Sequence, residues 1–206
     1  MTFVSRQAQP EAGTILILNG TSSSGKTSIA RTVQPLLSEP YHHLQLDTFR
    51  AMEPPGHWEG WQHQSSDVVD LKLAALCRAM NAALAEYSRH GQNVVFDTVL
   101  SNADAWRYVL EDLADLPVLI VGITCAADVL AQREHARGDR KAGLAASQFA
   151  KVHEGKEYDL MIDTTMLSAD DCASAVADWL RQSPVPQAFP KMSVTHARHR
   201  GRHSHA

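Results

Sequence analysis

Along the chain, short and almost unbroken apolar runs alternate with longer stretches in which apolar residues recur every three or four positions. The runs are Thr14 to Leu18, His43 to Leu46, Val94 to Phe96, Val118 to Ile123 and Leu160 to Ile162. Because neighbouring positions in most of these runs are both apolar, they predict strands covered on both faces rather than strands with one wet side. The intervening periodic stretches predict helices. The first covers Thr27 to Leu37, with Pro35 expected to shorten its last turn. The next runs from Val68 to Tyr87 and ends near Gly91. A third is capped by Asn102 and reaches about Leu113, and a fourth covers Ala127 to about Gly138. The last is capped by Ser168 and runs to about Leu180, with Asp170 and Asp171 in its first turn, where the helix dipole favours negative charge. This repeated order predicts an α/β fold, a parallel five-stranded sheet with helices on both faces. Its functional loops are expected at the carboxyl ends of the strands, after residues 18, 46, 96 and 123.

Composition narrows the class. With 206 residues, 44% of them hydrophobic and 20% charged, the chain can bury one core of ordinary size, and wholesale disorder is excluded. A net charge of -4, from 19 basic and 23 acidic residues, lacks the footprint of a nucleic-acid binder. Cys77, Cys125 and Cys172 are too far apart for a zinc or CxxC spacing and read as buried apolar residues. No stretch of ~18 apolar residues is present to span a membrane, and MTFVSRQAQPEAG has no signal-peptide core, so a cytoplasmic protein is expected. The domain is expected over 14–183. Residues 1–13 are expected to be flexible, and 184–206, with three prolines and HARHRGRHSHA, to form a mobile basic tail whose removal leaves stability unchanged.

Candidate chemistry begins at Gly20-Thr21-Ser22-Ser23-Ser24-Gly25-Lys26-Thr27, a G-x-x-x-x-G-K-[ST] string placed between a predicted buried strand and a predicted helix. Glycines let such a loop curl so that successive N–H groups face a phosphate, and the helix amino end adds positive potential. Lys26 is expected on the β- and γ-phosphates of ATP, and Thr27 on Mg²⁺. Asp97, at the end of Val94-Val95-Phe96, is placed to complete the Mg²⁺ shell, with a turn cap as the alternative. Asp47 stands at the corresponding place after the second strand. It can accept the proton of an attacking hydroxyl or serve as an N-cap for Thr48 to Met52, and the pattern leaves both open.

The stretch from Arg133 to Lys141 gathers Arg133, Arg137 and Arg140 at the end of the helix after the fourth strand. It reads either as a solvated basic face or as a lid whose guanidinium groups stabilise charge during phosphoryl transfer. Three strings, NGTSSSGKT, ARGDRKAGLAASQ and VHEGKEYDLMIDTT, resemble the chloramphenicol phosphotransferase family of small P-loop kinases, over Ile15 to about Thr165. The resemblance implies ATP-dependent transfer to a hydroxyl of a small molecule, with an antibiotic as the expected acceptor and inactivation as the outcome. It also implies Asp47 as base and Arg133, Arg137 and Arg140 on the phosphate side. The acceptor pocket is expected in the loop from Glu53 to Ser66, where Trp58 and Trp61 offer an aromatic wall or a small packing cluster. Two competing classes are a metabolite or nucleotide-sugar kinase of zeta-toxin type and a nucleotide-gated binding module, the latter needing no base aspartate.

Overall fold

The computed structural model describes residues 11–57, 66–137 and 143–203. Its centre is an all-parallel sheet of five strands, β1 (Ile15–Gly20), β2 (Tyr41–Gln45), β3 (Asn93–Thr98), β4 (Val118–Thr124) and β5 (Leu160–Asp163), in the order β2-β3-β1-β4-β5. Around it lie α1 (Lys26–Val33), α2 (Leu46–Ala51), α3 (Ser66–Arg89), α4 (Ala103–Asp112), α5 (Ala127–Arg137), α6 (Leu144–Phe149), α7 (Ala169–Leu180) and α8 (Ala188–His203).

The unbroken apolar runs have the expected cause. Successive strand residues point to opposite faces, so Ile15 and Ile17 enter one core while Leu16 and Leu18 enter another. The first core is closed by α3, α4 and α8 through Met80, Leu84, Val109, Leu113 and Phe189, and the second by α1 and α7 through Ile29, Val33, Cys172 and Val176. Local signals act where they stand. The side chain of Asn102 accepts from the amides of Asp104 and Ala105, and Ser168 and Asp171 form a reciprocal capping box on α7. Pro35 converts the end of the first helix into a 3₁₀ turn, Gln34–Leu36.

Two expectations change. Asp47 is not an N-cap: α2 starts at Leu46, two residues before Thr48, its cap position is Gln45 without a side-chain cap bond, and Asp47 lies in the first turn. The tail is not loose. Residues 188–203 form α8, in which Phe189 is fully buried and Ala188 and Met192 are buried beside it. Phe189 meets Trp106 of α4 edge to face at 6.2 Å. Arg200 and His196 reach Glu111 at 2.6 and 3.3 Å, and Asp159 accepts the Gln187 and Ala188 amides at the helix start. Pro190 does not break this helix because it sits in the first turn, where an N–H has no intrahelical partner to lose. Most of the 1–13 segment lies outside the described residues. Among the described residues no helix is long and apolar enough to cross a membrane.

Candidate active site

β1 is the central strand, with β3 on one side and β4 on the other, so the order reverses at its carboxyl end. That is where open parallel sheets form their crevice. The chain there turns from Gly20 into α1. At Gly20 a Cβ would lie 2.4 Å from the carbonyl oxygen of Ile123, so only glycine lets the loop leave between the neighbouring strands. Gly25 sits at φ 95°, a left-handed geometry that glycine adopts without strain. The buried Lys26 donates from Nζ to the Thr21 carbonyl at 2.6 Å, across the mouth of the loop. Among the described residues the buried hydroxyls of Ser23 and Ser24 have no hydrogen-bond partner. Orphaned donors, an amine and a helix amino end around one concavity fit an anion of polyphosphate type.

Asp97 reaches this loop because β3 pairs with β1 in a register that sets Leu18 against Asp97. Its carboxylate accepts from the Thr27 hydroxyl at 2.5 Å and lies 3.6 Å from Nε2 of His43 on β2. Burial acts to raise the Asp97 pKa. The His43 imidazole, the Lys26 charge and the Thr27 hydroxyl outweigh it and hold the carboxyl below its ordinary range. An ionised carboxylate beside a hydroxyl at the edge of a phosphate cradle is a donor set suited to Mg²⁺, which binds through one or two protein oxygens plus phosphates. Among the described residues no cluster of three His, Cys, Asp or Glu side chains gathers to hold a metal by protein ligands alone.

Asp47 and Lys26 line one cavity of about 670 Å³. Arg50, one turn on from Asp47 in α2, lines it too and approaches the Asp47 carboxylate to 3.7 Å. From this polar end the cavity extends into an apolar arm between α3 and α4, walled by Leu73, Cys77 and Met80 on one side and by Leu100, Ala105 and Val109 on the other. The expected acceptor wall, Trp58 and Trp61, lies outside the described residues. The apolar space that the structure offers is beside α3.

The basic stretch after β4 divides. The guanidinium of Arg133 donates to Oγ1 and the carbonyl of Thr164 at 3.0 and 2.7 Å, and Thr164 in turn donates to the Ser24 carbonyl at 2.9 Å. Arg133 is thus tied to the Gly20–Thr27 loop rather than solvated. Arg137 is exposed and lines the same cavity, and Arg140 lies outside the described residues. The buried Glu134 accepts from the amides of Gly143 and Ala145 at 2.8 and 2.9 Å, which fixes where the chain re-enters α6. On α6, Gln148 accepts from the Ser22 amide at 2.7 Å. A backbone N–H can only donate, so Gln148 must offer its oxygen there.

The string at 152–158 has a structural purpose. Fully buried Asn19, at the end of β1, donates from Nδ2 to the Val152 carbonyl at 2.9 Å and to the Tyr158 hydroxyl at 2.8 Å, and accepts from the Leu100 amide at 2.9 Å. His153 contacts the same hydroxyl at 2.8 Å, and burial pushes its pKa down. One amide therefore pins the root of the Gly20–Thr27 loop to Val152, Tyr158 and Leu100. Sequence reasoning passed over Asn19, His43, Arg50, Asn81 and Gln148. Asn19 and Gln148 stand there only as the first letter of NGTSSSGKT and the last of ARGDRKAGLAASQ, and His43 only as the start of a strand run.

Residues 13–181 match the profile of the chloramphenicol phosphotransferase-like proteins. The chain is 28% identical over 201 residues to a Mycobacterium tuberculosis protein named "Putative O-phosphotransferase Rv2636", covering 87% of this chain and 88% of the relative. The fold superposes on the Mycobacterium tuberculosis APS kinase solved with AMPPNP and APS (TM-score 0.63, 19% identity, 84% of this chain and 99% of the other). It also superposes on shikimate kinase from Acinetobacter baumannii solved with shikimate (TM-score 0.58, 14% identity, 84% and 96%).

Proposed function

This chain belongs to the chloramphenicol phosphotransferase-like family, with the fold of the P-loop kinases and the activity class of a phosphotransferase, and from that premise we propose that it moves the γ-phosphoryl group of ATP to a hydroxyl of a small molecule. The observation that supports this reading most is that Asp47, a carboxylate at the carboxyl end of β2, lines the same cavity as Lys26 and the phosphate loop. A nucleotide switch needs no such base, whereas transfer to an alcohol does.

In this reading Gly20 to Thr27 cradle the β- and γ-phosphates with backbone amides, and Lys26 leaves the Thr21 carbonyl for a phosphate oxygen. Asp47 accepts the proton of the acceptor alcohol as its oxygen bonds to the γ-phosphorus, and the bond to the ADP oxygen breaks. Arg137 faces the transferred group from α5, and Arg140 is proposed to join it. Arg133 keeps the loop in shape through Thr164 and offers its remaining N–H groups to the same charge. Thr27 and Asp97 would hold Mg²⁺, which supplies neutralisation of the β- and γ-phosphate charge. His43 keeps Asp97 ionised for that role.

The acceptor class we favour is a hydroxylated antibiotic, inactivated by phosphorylation. The test incubates the full chain with MgATP and a panel of hydroxylated antibiotics and seeks a product heavier by one phosphoryl group. Asp47→Asn should retain nucleotide binding and lower turnover by roughly 10²- to 10⁴-fold. A full-rate Asn variant would remove Asp47 from the chemistry, and absence of any product across the panel would remove the antibiotic assignment.

A further inference from the structure

At the polar end of the cavity two opposite charges share one short helix. Leu46 and Phe49 of α2 pack against the first core, while Asp47 and Arg50, three residues apart, line the cavity. Both are within reach of a solute, since 27% of the Arg50 side chain and 48% of the Asp47 side chain are exposed. The simplest account is an intrahelical ion pair, which on a surface contributes little. The distance argues for more. Nη1 of Arg50 stands 3.7 Å from Oδ1 of Asp47, longer than a direct N–H···O bond, so the two groups lie beside each other without closing on each other.

The two groups read opposite features of a ligand. A carboxylate accepts, and so takes a hydroxyl proton, whereas a guanidinium carries five N–H donors in a planar fork and accepts nothing. Any hydroxyl bonded to Oδ1 of Asp47 brings its neighbouring atoms to Nη1 of Arg50, because that nitrogen lies beside the same oxygen. Two oxygens on adjacent carbons stand about 3 Å apart, close to the separation of the two groups. The arm that leads away is walled by Leu73, Met80, Leu100 and Val109, so an apolar remainder belongs there and the oxygens belong at α2.

Resting on the transfer reading above, in which Asp47 takes the acceptor's proton, we infer that Arg50 binds the acceptor through a second oxygen, on the carbon next to the reacting carbinol. The acceptor class is thus a 1,2-diol or a 2-hydroxy acid that carries an apolar group. Arg50 neither gives nor takes the transferred group. It fixes rotation about the bond between the two carbons, which keeps the hydroxyl on Asp47. A lone alcohol lacks this second hold.

The experiment compares three probes: 1-phenyl-1,2-ethanediol, mandelate, and 2-phenyl-1-propanol, in which a methyl group replaces the second oxygen. Binding to the full chain with MgAMPPNP is measured by ligand-observed NMR titration, for wild type and for Arg50→Met. The diol, mandelate or both are expected to bind at least about fivefold tighter than the propanol, the scale of one hydrogen bond to a half-exposed charge. Whichever of the two binds tighter identifies the second oxygen as neutral or anionic. Arg50→Met should abolish the advantage over the propanol, whereas loss of a purely structural ion pair would shift all three probes alike. A wild type in which neither oxygen-bearing probe exceeds the propanol, survival of the advantage in Arg50→Met, or no binding by any probe each overturns the proposal. Should Arg50→Met fail to fold, the wild-type ranking decides alone. On addition of MgATP, ranked binding without phosphorylated product would defeat the kinase reading and leave the subsite standing. Phosphorylation of all three probes with equal kcat/KM would do the reverse.

Discussion

Phe189→Ala tests whether the carboxyl-terminal segment belongs to the domain. The ring is fully buried, stacked edge to face on Trp106 and enclosed with Val118 and Ile120 of β4 in the first core. Removing a buried phenyl group costs about 3–5 kcal/mol when the surroundings cannot collapse into the space. Collapse is restricted here, since the Lys156 ammonium also packs over the Trp106 ring at 5.4 Å and α8 is tethered at both ends, by Asp159 at its start and Glu111 near its end. At about 2–4 °C per kcal/mol for a chain of this size, the melting temperature should fall by roughly 6–20 °C. Deleting 184–206 should lower it at least as far, because the tethers go as well. The effect also has a functional side. α4 carries Ala105 and Val109 of the apolar arm, so a loosened α4 should weaken acceptor binding more than nucleotide binding. Thermal unfolding followed by circular dichroism, with acceptor-probe and AMPPNP affinities measured alongside, checks both. A drop below about 2 °C for the point variant would mean that α8 does not pack, as the composition of the tail suggests, and the argument would fail.

Lys26→Ala should leave the circular dichroism spectrum unchanged and lower turnover by roughly 10²- to 10³-fold, the scale for a lost donor to transition-state charge; unchanged turnover refutes the phosphate-loop assignment. Gln148→Glu keeps an acceptor for the Ser22 amide but sets a negative charge against the phosphates, so AMPPNP affinity should fall about tenfold or more at unchanged melting temperature. An unaltered dissociation constant would place Gln148 away from the nucleotide. For acid stability, burial acts to raise the Glu111 pKa, while His196, Arg78, Arg107 and Arg200 outweigh it and bring it to about 2, below its ordinary 4.5. The stabilisation is therefore complete above about pH 4.5 and lost as pH falls toward 2, and Glu111→Gln should flatten the melting temperature across that window. An identical pH profile in the Gln variant would show that Glu111 does not tether α8.

The parallel sheet, its two helical layers and the glycine-rich turn between β1 and α1 could be read from the sequence because each rests on local information. A run such as Ile15 to Leu18 must be buried on both faces wherever it goes, and the conformation of a G-x-x-x-x-G-K-T turn is set by its own glycines. Capping at Asn102 and Ser168 is equally local, a side chain bonding amides two or three residues on. Asp97 could be proposed from its place at a strand end, but its neighbour His43 is joined to it only by strand register and its hydrogen bond from Thr27 only by the way α1 packs on the sheet. α8 was hidden because its buried stripe is short and mixed, with Phe189 and Met192 followed by His196 and Arg200, and its value lies in a groove formed by α4 and β4. The same holds for Asn81 and Gln148, whose amides acquire a direction only from Asp112 and Ser22, 31 and 126 residues away. Periodicity and turn chemistry act over a few residues, so they specify elements. Which polar atom is paired and which is left over depends on what packs behind it, and that is decided only when distant segments meet.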